Sequence, residues 1–247
     1  MDGLCQRFDA LCRDPMLFSE ERGGIGVYKE KRLHRMLKLA VSDNTLDHEV
    51  KVGTRVADVL CNGEITEVQT GSLRPLASKL EYYLENTDHR VCVVMPIIAK
   101  KTIIRLSADT GEVLRKRFSP TKKGYADALF GLFYLGQIFP NDRLTIKILL
   151  IEAEEYRYSE RVRYRRSGAY DSELFPVGVM DSREVRQHKD VMALLPQVDT
   201  EITAKEFSKL TGLKERDASM LLSFLMGAGS VTRRKEGKKF LYTFMCP

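Results

Sequence analysis

Residues 48–70 read HEVKVGTRVADVLCNGEITEVQT, and the fold turns on this stretch. Two strand-like runs, His48–Leu60 and Glu64–Thr70, flank Asn62-Gly63. A two-residue loop between antiparallel strands needs positive φ at both central positions, which Asn-Gly adopts readily, so the spacing predicts a β-hairpin. Side chains alternate along a strand, which puts Glu67 and Gln69 on one face and Val68 on the other. The hairpin is then expected to bring Asp58, at the end of the first run, beside Glu67.

Upstream, Leu33, Met36, Leu37 and Ala40 recur at helical spacing between basic residues, predicting an amphipathic helix from Tyr28 to about Val41. Residues 1–24 are expected as an N-terminal extension with a short helix through Leu4, Phe8 and Leu11. Downstream, Ser72 is placed to cap a helix reaching about Glu85, with Leu73, Leu76, Leu80, Tyr83 and Leu84 as its buried stripe. Arg90–Pro96 contains VCVVM, the pattern of a central strand covered on both faces. Lys101–Leu106 and Glu112–Phe118, around Asp109-Thr110-Gly111, predict a second hairpin; Tyr125–Gln137 predicts a helix and Leu144–Ala153 a last strong strand. This order predicts an α/β domain over residues 25–156, a mixed sheet flanked by helices.

Residues 157–182 sustain no apolar period. Arg157, Arg161, Arg163, Arg165 and Arg166 alternate with Tyr156, Tyr158, Tyr164 and Tyr170. A basic linker is expected, its guanidiniums either gripping phosphates or remaining solvated. From residue 183 to 247, helices over Arg183–Leu195, Ala204–Leu210 and Lys214 to about Met226 precede strands Ser230–Arg234 and Lys239–Phe244. Three helices and a hairpin predict a smaller winged helix-turn-helix domain. Its expected DNA contacts are Lys214 and Arg216 on the third helix, and Arg233, Arg234, Lys235, Lys238 and Lys239 at the hairpin. Glu215 and Asp217 beside them leave protein contact open as the alternative.

The 247 residues, 43% hydrophobic, suffice for one large core or two ordinary ones. A formal charge of +6 and a pI near 9.0 suit a polyanionic partner. The five cysteines (Cys5, Cys12, Cys61, Cys92 and Cys246) are scattered and form no CxxC pair. That argues against a disulfide framework or structural zinc and fits reduced cytoplasmic thiols. No apolar run approaches the ~20 residues of a membrane span. The N-terminus lacks the basic-then-apolar order of a secretory signal, so no membrane partner is expected.

Two carboxylates converging on one spot repel each other unless a cation lies between them. With hard oxygen donors and no Cys or His cluster nearby, that cation is expected to be Mg²⁺ or Mn²⁺. Such an ion polarises a phosphate oxygen and acidifies its bound water, as phosphodiester hydrolysis requires. The run Val56-Ala57-Asp58, eight residues, then Glu67-Val68-Gln69 resembles the PD-(D/E)xK superfamily of restriction-endonuclease-like nucleases, with similar element order over residues 25–155. The resemblance implies that Asp58, Glu67 and the backbone carbonyl of Val68 ligate the metal. It also implies that Gln69 orients the attacking water and that Glu30, in the first helix, adds an acidic group. Position 69 departs from the pattern, because Lys is usual there and Gln69 carries no charge. Lys79, on the following helix, is positioned to supply that charge, and His34, one turn from Glu30, to face the same cleft.

The expected protein is a cytoplasmic bacterial endonuclease, cutting DNA, duplex in preference to RNA, with dimerisation compatible with two-strand cleavage. Two rivals stay open: a catalytically inactive nuclease-fold DNA-binding protein, suggested by Gln69, and a regulator whose winged helix reads an operator.

Overall fold

The computed structural model describes residues 3–14, 31–107, 109–161 and 170–245, with the backbone alone at Lys31, 158–161 and 170–171. One mixed sheet is built around β4 (Arg90–Leu106), whose VCVVM run is buried on both faces. To one side lie β3 (Glu64–Val68), β2 (Arg55–Cys61) and β1 (His48–Val52); to the other lie β6 (Leu144–Arg161) and β7 (Tyr170–Val185). A further strand, β5 (Val113–Phe118), pairs with the outer half of β4. The β3–β4 and β4–β6 pairs are parallel, and the rest are antiparallel. Parallel neighbours need a crossover, and α3 (Ala77–Asn86) supplies the one between β3 and β4. Arg143 donates to the carbonyls of Leu84 and Thr87 and so ties down the C-terminal end of α3.

The Asn62-Gly63 loop has φ of 51° and 75° and joins β2 to β3, as its residue types demand. The expected single strand His48–Leu60 is two strands. Gly53, at φ 60°, turns the chain between β1 and β2, where a Cβ would meet Tyr82 Oη at 2.1 Å. Conversely, Arg90–Pro96 and Lys101–Leu106 belong to one strand, which absorbs a bulge between Ile98 and Lys100. The helix expected over Tyr125–Gln137 is only α4 (Ala126–Leu129), followed by a 3₁₀ run (Phe130–Ile138) that Gly136 breaks.

The linker expected over 157–182 is corrected by the structure. In its described part it is strand, with β6 reaching Arg161 and β7 starting at Tyr170 in antiparallel pairing. Val179 there packs into the core beside Leu149 and Ile151, but register shifts opposite residues 150–153 interrupt the alternation that would have marked a strand. Lys101 and Arg157 pair with Glu155 at 2.6 and 2.9 Å, and the Tyr156 and Phe175 rings meet at 5.2 Å. Residues 183–185, expected to open a helix, end β7 instead.

Helices cover both faces of the sheet. On one, α1 (Gly3–Arg13) and α2 (Lys31–Val41) bury Leu4, Phe8, Leu33 and Leu37 against Val68, Cys92, Val94 and Leu149. On the other, Leu76, Leu80 and Leu129 pack on Ile65, Val93 and Ile146. The second core continues without a break into α5 (His188–Ala193), α6 (Ala204–Thr211), α7 (Glu215–Gly227) and the hairpin β8 (Val231–Glu236) and β9 (Lys239–Phe244). Phe224 of α7 lies 6.1 Å, ring to ring, from Phe139, and Leu221, Leu222 and Leu225 are buried beside it.

Candidate active site

Glu67 is the most deeply buried carboxylate of the site, 3% exposed near the end of β3. Its strand position turns it toward α3, where Lys79 and Tyr83 stand one helical turn apart and both reach it. Lys79 Nζ lies 2.6 Å from Glu67 Oε2, and Tyr83 Oη donates to Oε1 at 3.2 Å. Burial first, then the charge of Asp58, pushes the Glu67 carboxyl up to about 7 against the pull of Lys79 and Tyr83. Tyr83 is itself pushed up by burial and by Glu67, so its hydroxyl stays a donor.

Asp58 lies where the β2–β3 ladder has ended, one residue beyond the Val59↔Thr66 pair. Its side chain closes that gap, with Oδ2 accepting from the Val68 backbone N–H at 2.8 Å. His34 Nε2, from α2, lies 3.1 Å from the same oxygen. Burial raises the Asp58 carboxyl, but the hydrogen bonds from His34 and Val68, with the charges of His34 and Lys79, outweigh it and hold it below the ordinary range. Two neighbouring carboxylates are thus driven apart in proton affinity, the arrangement in which one group stays ionised while the other exchanges a proton near neutrality.

The other expected site residues divide. Gln69 follows β3, but its amide nitrogen donates to the Ser72 carbonyl at 2.7 Å, holding the turn into α3. Val68 supplies the N–H that grips Asp58, and its side chain is buried against α2. Glu30 lies outside the described residues. Among the described residues no three His, Cys, Asp or Glu side chains gather closely enough to hold a metal. The donors present are nevertheless hard oxygens, and Asp58 Oδ1 takes no hydrogen bond among the described residues. Lys79, 24% exposed, supplies positive charge at Glu67 and occupies one of its oxygens, and the oxygens at Asp58 and Glu67 are of the hard kind that Mg²⁺ or Mn²⁺ takes.

The sequence pattern puts Tyr83 in an apolar stripe and His34 one turn from Glu30, facing the cleft; the structure gives Tyr83 to Glu67 and His34 to Asp58. The available signal was the four-residue spacing of Lys79 and Tyr83 on one helix, since a buried tyrosine hydroxyl needs a polar partner.

The expected DNA contacts lie apart from this cluster. Lys214 and Arg216 are exposed at the start of α7, whose apolar side is packed against the 3₁₀ run, with Tyr134 Oη 4.0 Å from Met220 Sδ. On the β8–β9 hairpin, Arg233 stacks on Phe240 at 4.4 Å and Lys235, Lys238 and Lys239 are exposed. Arg234 is committed to Glu201 and to Glu236 at 3.2 Å. Arg161 ends β6, and Arg163, Arg165 and Arg166 lie outside the described residues. No described helix is long and apolar enough to cross a membrane.

A family model described as a domain of unknown function, DUF8091, matches residues 31–186, from α2 to just past β7, and includes Asp58, Glu67 and Lys79. No curated protein and no solved structure matches the chain.

Proposed function

The chain belongs to the DUF8091 family, a domain of unknown function, and from its own site we propose that it is a metal-dependent deoxyribonuclease of restriction-endonuclease-like architecture. Three antiparallel strands, a crossover helix and a parallel fourth strand support that architecture. The observation that carries the proposal is the 2.6 Å contact of Lys79 with Glu67. Gln69 lacks the charge usual at its position, and Lys79 restores it from α3, so the site again holds two acids and a lysine.

Asp58 and Glu67, with the Val68 carbonyl, would hold the ion, which when bound polarises a phosphate oxygen and acidifies a water. His34 and the Val68 N–H fix one oxygen of Asp58 and leave the other for binding. With no ion bound Glu67 holds its proton up to about pH 7, so proton and ion would compete for it, and Tyr83 keeps the carboxyl oriented. Lys79 balances the charge at Glu67 and orients the attacking water. Gln69 shapes the turn behind it.

The order of α5, α6, α7, β8 and β9 supports a winged helix-turn-helix reading. Because the apolar side of α7 is packed, its exposed first turn and the hairpin suit backbone contacts from Lys214, Arg216, Lys235, Lys238 and Lys239.

The test is nicking of supercoiled plasmid with Mg²⁺ or Mn²⁺. Wild type should nick. Asp58→Asn and Glu67→Gln should lose ~100-fold or more, and Lys79→Met about tenfold. Equal nicking by all four proteins, or none by wild type, would remove the enzyme reading; binding without nicking would leave the inactive nuclease-fold alternative.

A further inference from the structure

Beyond the Val68↔Val94 pair β4 continues without β3, and its outer half, between β5 and β6, extends the sheet as four strands, with β7 beyond β6. Ile103 pairs with Arg117 and Arg105 with Arg115 across β4–β5, while Ile103 pairs with Glu155 and Arg105 with Arg157 across β4–β6. Residues in register share a face, and alternation adds Lys101 to it. Among the described residues in register, Lys101, Arg105, Arg115, Arg117 and Arg157 therefore share the face of Glu155, five cations with one carboxylate. Glu155 is bound by Lys101 at 2.6 Å and by Arg157 at 2.9 Å.

Two features mark this face as more than a solvated one. Arg115 stands directly opposite Arg105, so the exposed edge strand adds its positive charge beside that of β4. Moreover, all of β5 is exposed, and Arg115 makes no ion pair among the described residues. The described rings nearby lie on the opposite face: Phe118 pairs with Thr102 beneath Lys100, and Tyr156 packs on Phe175. Among the described residues the basic face thus offers guanidiniums without a stacking platform, which suits phosphates rather than unpaired bases.

We infer that this face binds the sugar–phosphate backbone of duplex DNA; the choice of DNA as the polyanion rests on the nuclease reading. Lys101 and Arg105 lie seven and eleven residues past Val94 on β4. At ~3.3 Å per residue that is roughly 23–36 Å from the acid cluster, about one turn of duplex, ~34 Å.

The test is fluorescence anisotropy with a labelled duplex of about two turns, ~20 bp, in chelator so that no cutting occurs. The full-length Arg115→Glu/Arg117→Glu double variant should bind ~10-fold or more weakly, and its slope of log Kd against log salt should be shallower by about two. Arg115→Lys/Arg117→Lys should stay near wild type. Wild-type affinity and slope in the Glu variant, with unaltered melting, would overturn the inference, as would absence of duplex binding by wild type. Plasmid nicking with unchanged binding in the Glu variant would sink this surface and leave the nuclease reading. Weakened binding with no nicking would do the reverse.

Discussion

Glu67 and Arg115 belong to the same sheet but carry charge under opposite conditions. Glu67 is 3% exposed, bound to Lys79 and Tyr83, and holds its proton up to about pH 7. Arg115 stands exposed on an edge strand opposite another arginine. Burial removes water from a charge and turns its energetics into proton affinity. Exposure leaves the charge permanent and makes its interactions a matter of ionic strength. The inner half of the sheet should therefore answer to pH and the outer half to salt.

The largest expected effect breaks the comparison from the buried side. The Glu67 carboxyl titrates near 7 when folded, against an ordinary 4.5. The folded chain holds this proton more tightly, so the stability it contributes is fully present below pH 4.5 and is lost as pH rises through 7. At about 1.4 kcal/mol per pKa unit this amounts to about 3 kcal/mol, or roughly 6–12 °C in melting temperature for a chain of this size. Asp58, held low, has the opposite slope, present above 3.8 and lost as pH falls, and burial holds His188 below 6.5, so between pH 4.5 and 8 the difference between wild type and Glu67→Gln, to which His188 contributes equally in both, isolates Glu67. Glu67→Gln should remove the loss of stability that wild type shows as pH rises through 7. Identical pH dependence in variant and wild type would show that Glu67 does not titrate there.

Lys79→Met sharpens the same side. Removing the ammonium takes away the hydrogen bond and the charge that lower Glu67, so the carboxyl must rise above 7. Nicking at pH 7 should fall about tenfold, the factor for one pKa unit, and recover in part at higher pH. A purely structural lysine would lower activity equally at every pH. High salt should not reproduce the effect, because the pair is largely buried.

Local signals made part of this legible. Asn62-Gly63 dictates its turn whatever surrounds it, and the VCVVM run has no place but the centre of a sheet. The meeting of Lys79 with Glu67 depends on how α3 crosses the sheet, which no spacing near Glu67 encodes. Position 69 drew attention because a motif is read along the chain, whereas the compensating charge arrives through space. Helical spacing turned His34 toward the cleft, but its partner there, Asp58, lies 24 residues away in sequence and no local spacing names it. In β6–β7 the apolar contact of Val179 with Ile151 is followed by register shifts, and beyond them ion pairs of Glu155 and the Tyr156–Phe175 rings take over. A strand interrupted that way shows no sustained hydrophobic period.

The smallest expected effect tests whether the two faces of the outer sheet are distinct. Lys116 lies between Arg115 and Arg117 in sequence, but alternation turns it to the opposite face, where Nζ is 3.1 Å from Glu154 Oε1. Both partners remain accessible, at 61% and 27% side-chain exposure, so solvent screens the pair. Lys116→Ala should cost less than about 1 kcal/mol, and that difference should vanish in ~1 M salt, where the screening length is about 3 Å. Its effect on duplex affinity should be smaller than that of Arg115→Ala, because its charge is already matched by Glu154 and points away from the basic face. If the two alanine variants weaken duplex binding equally, charge density along β5 decides affinity rather than the face it occupies. The sidedness on which the outer-sheet surface depends would then be lost.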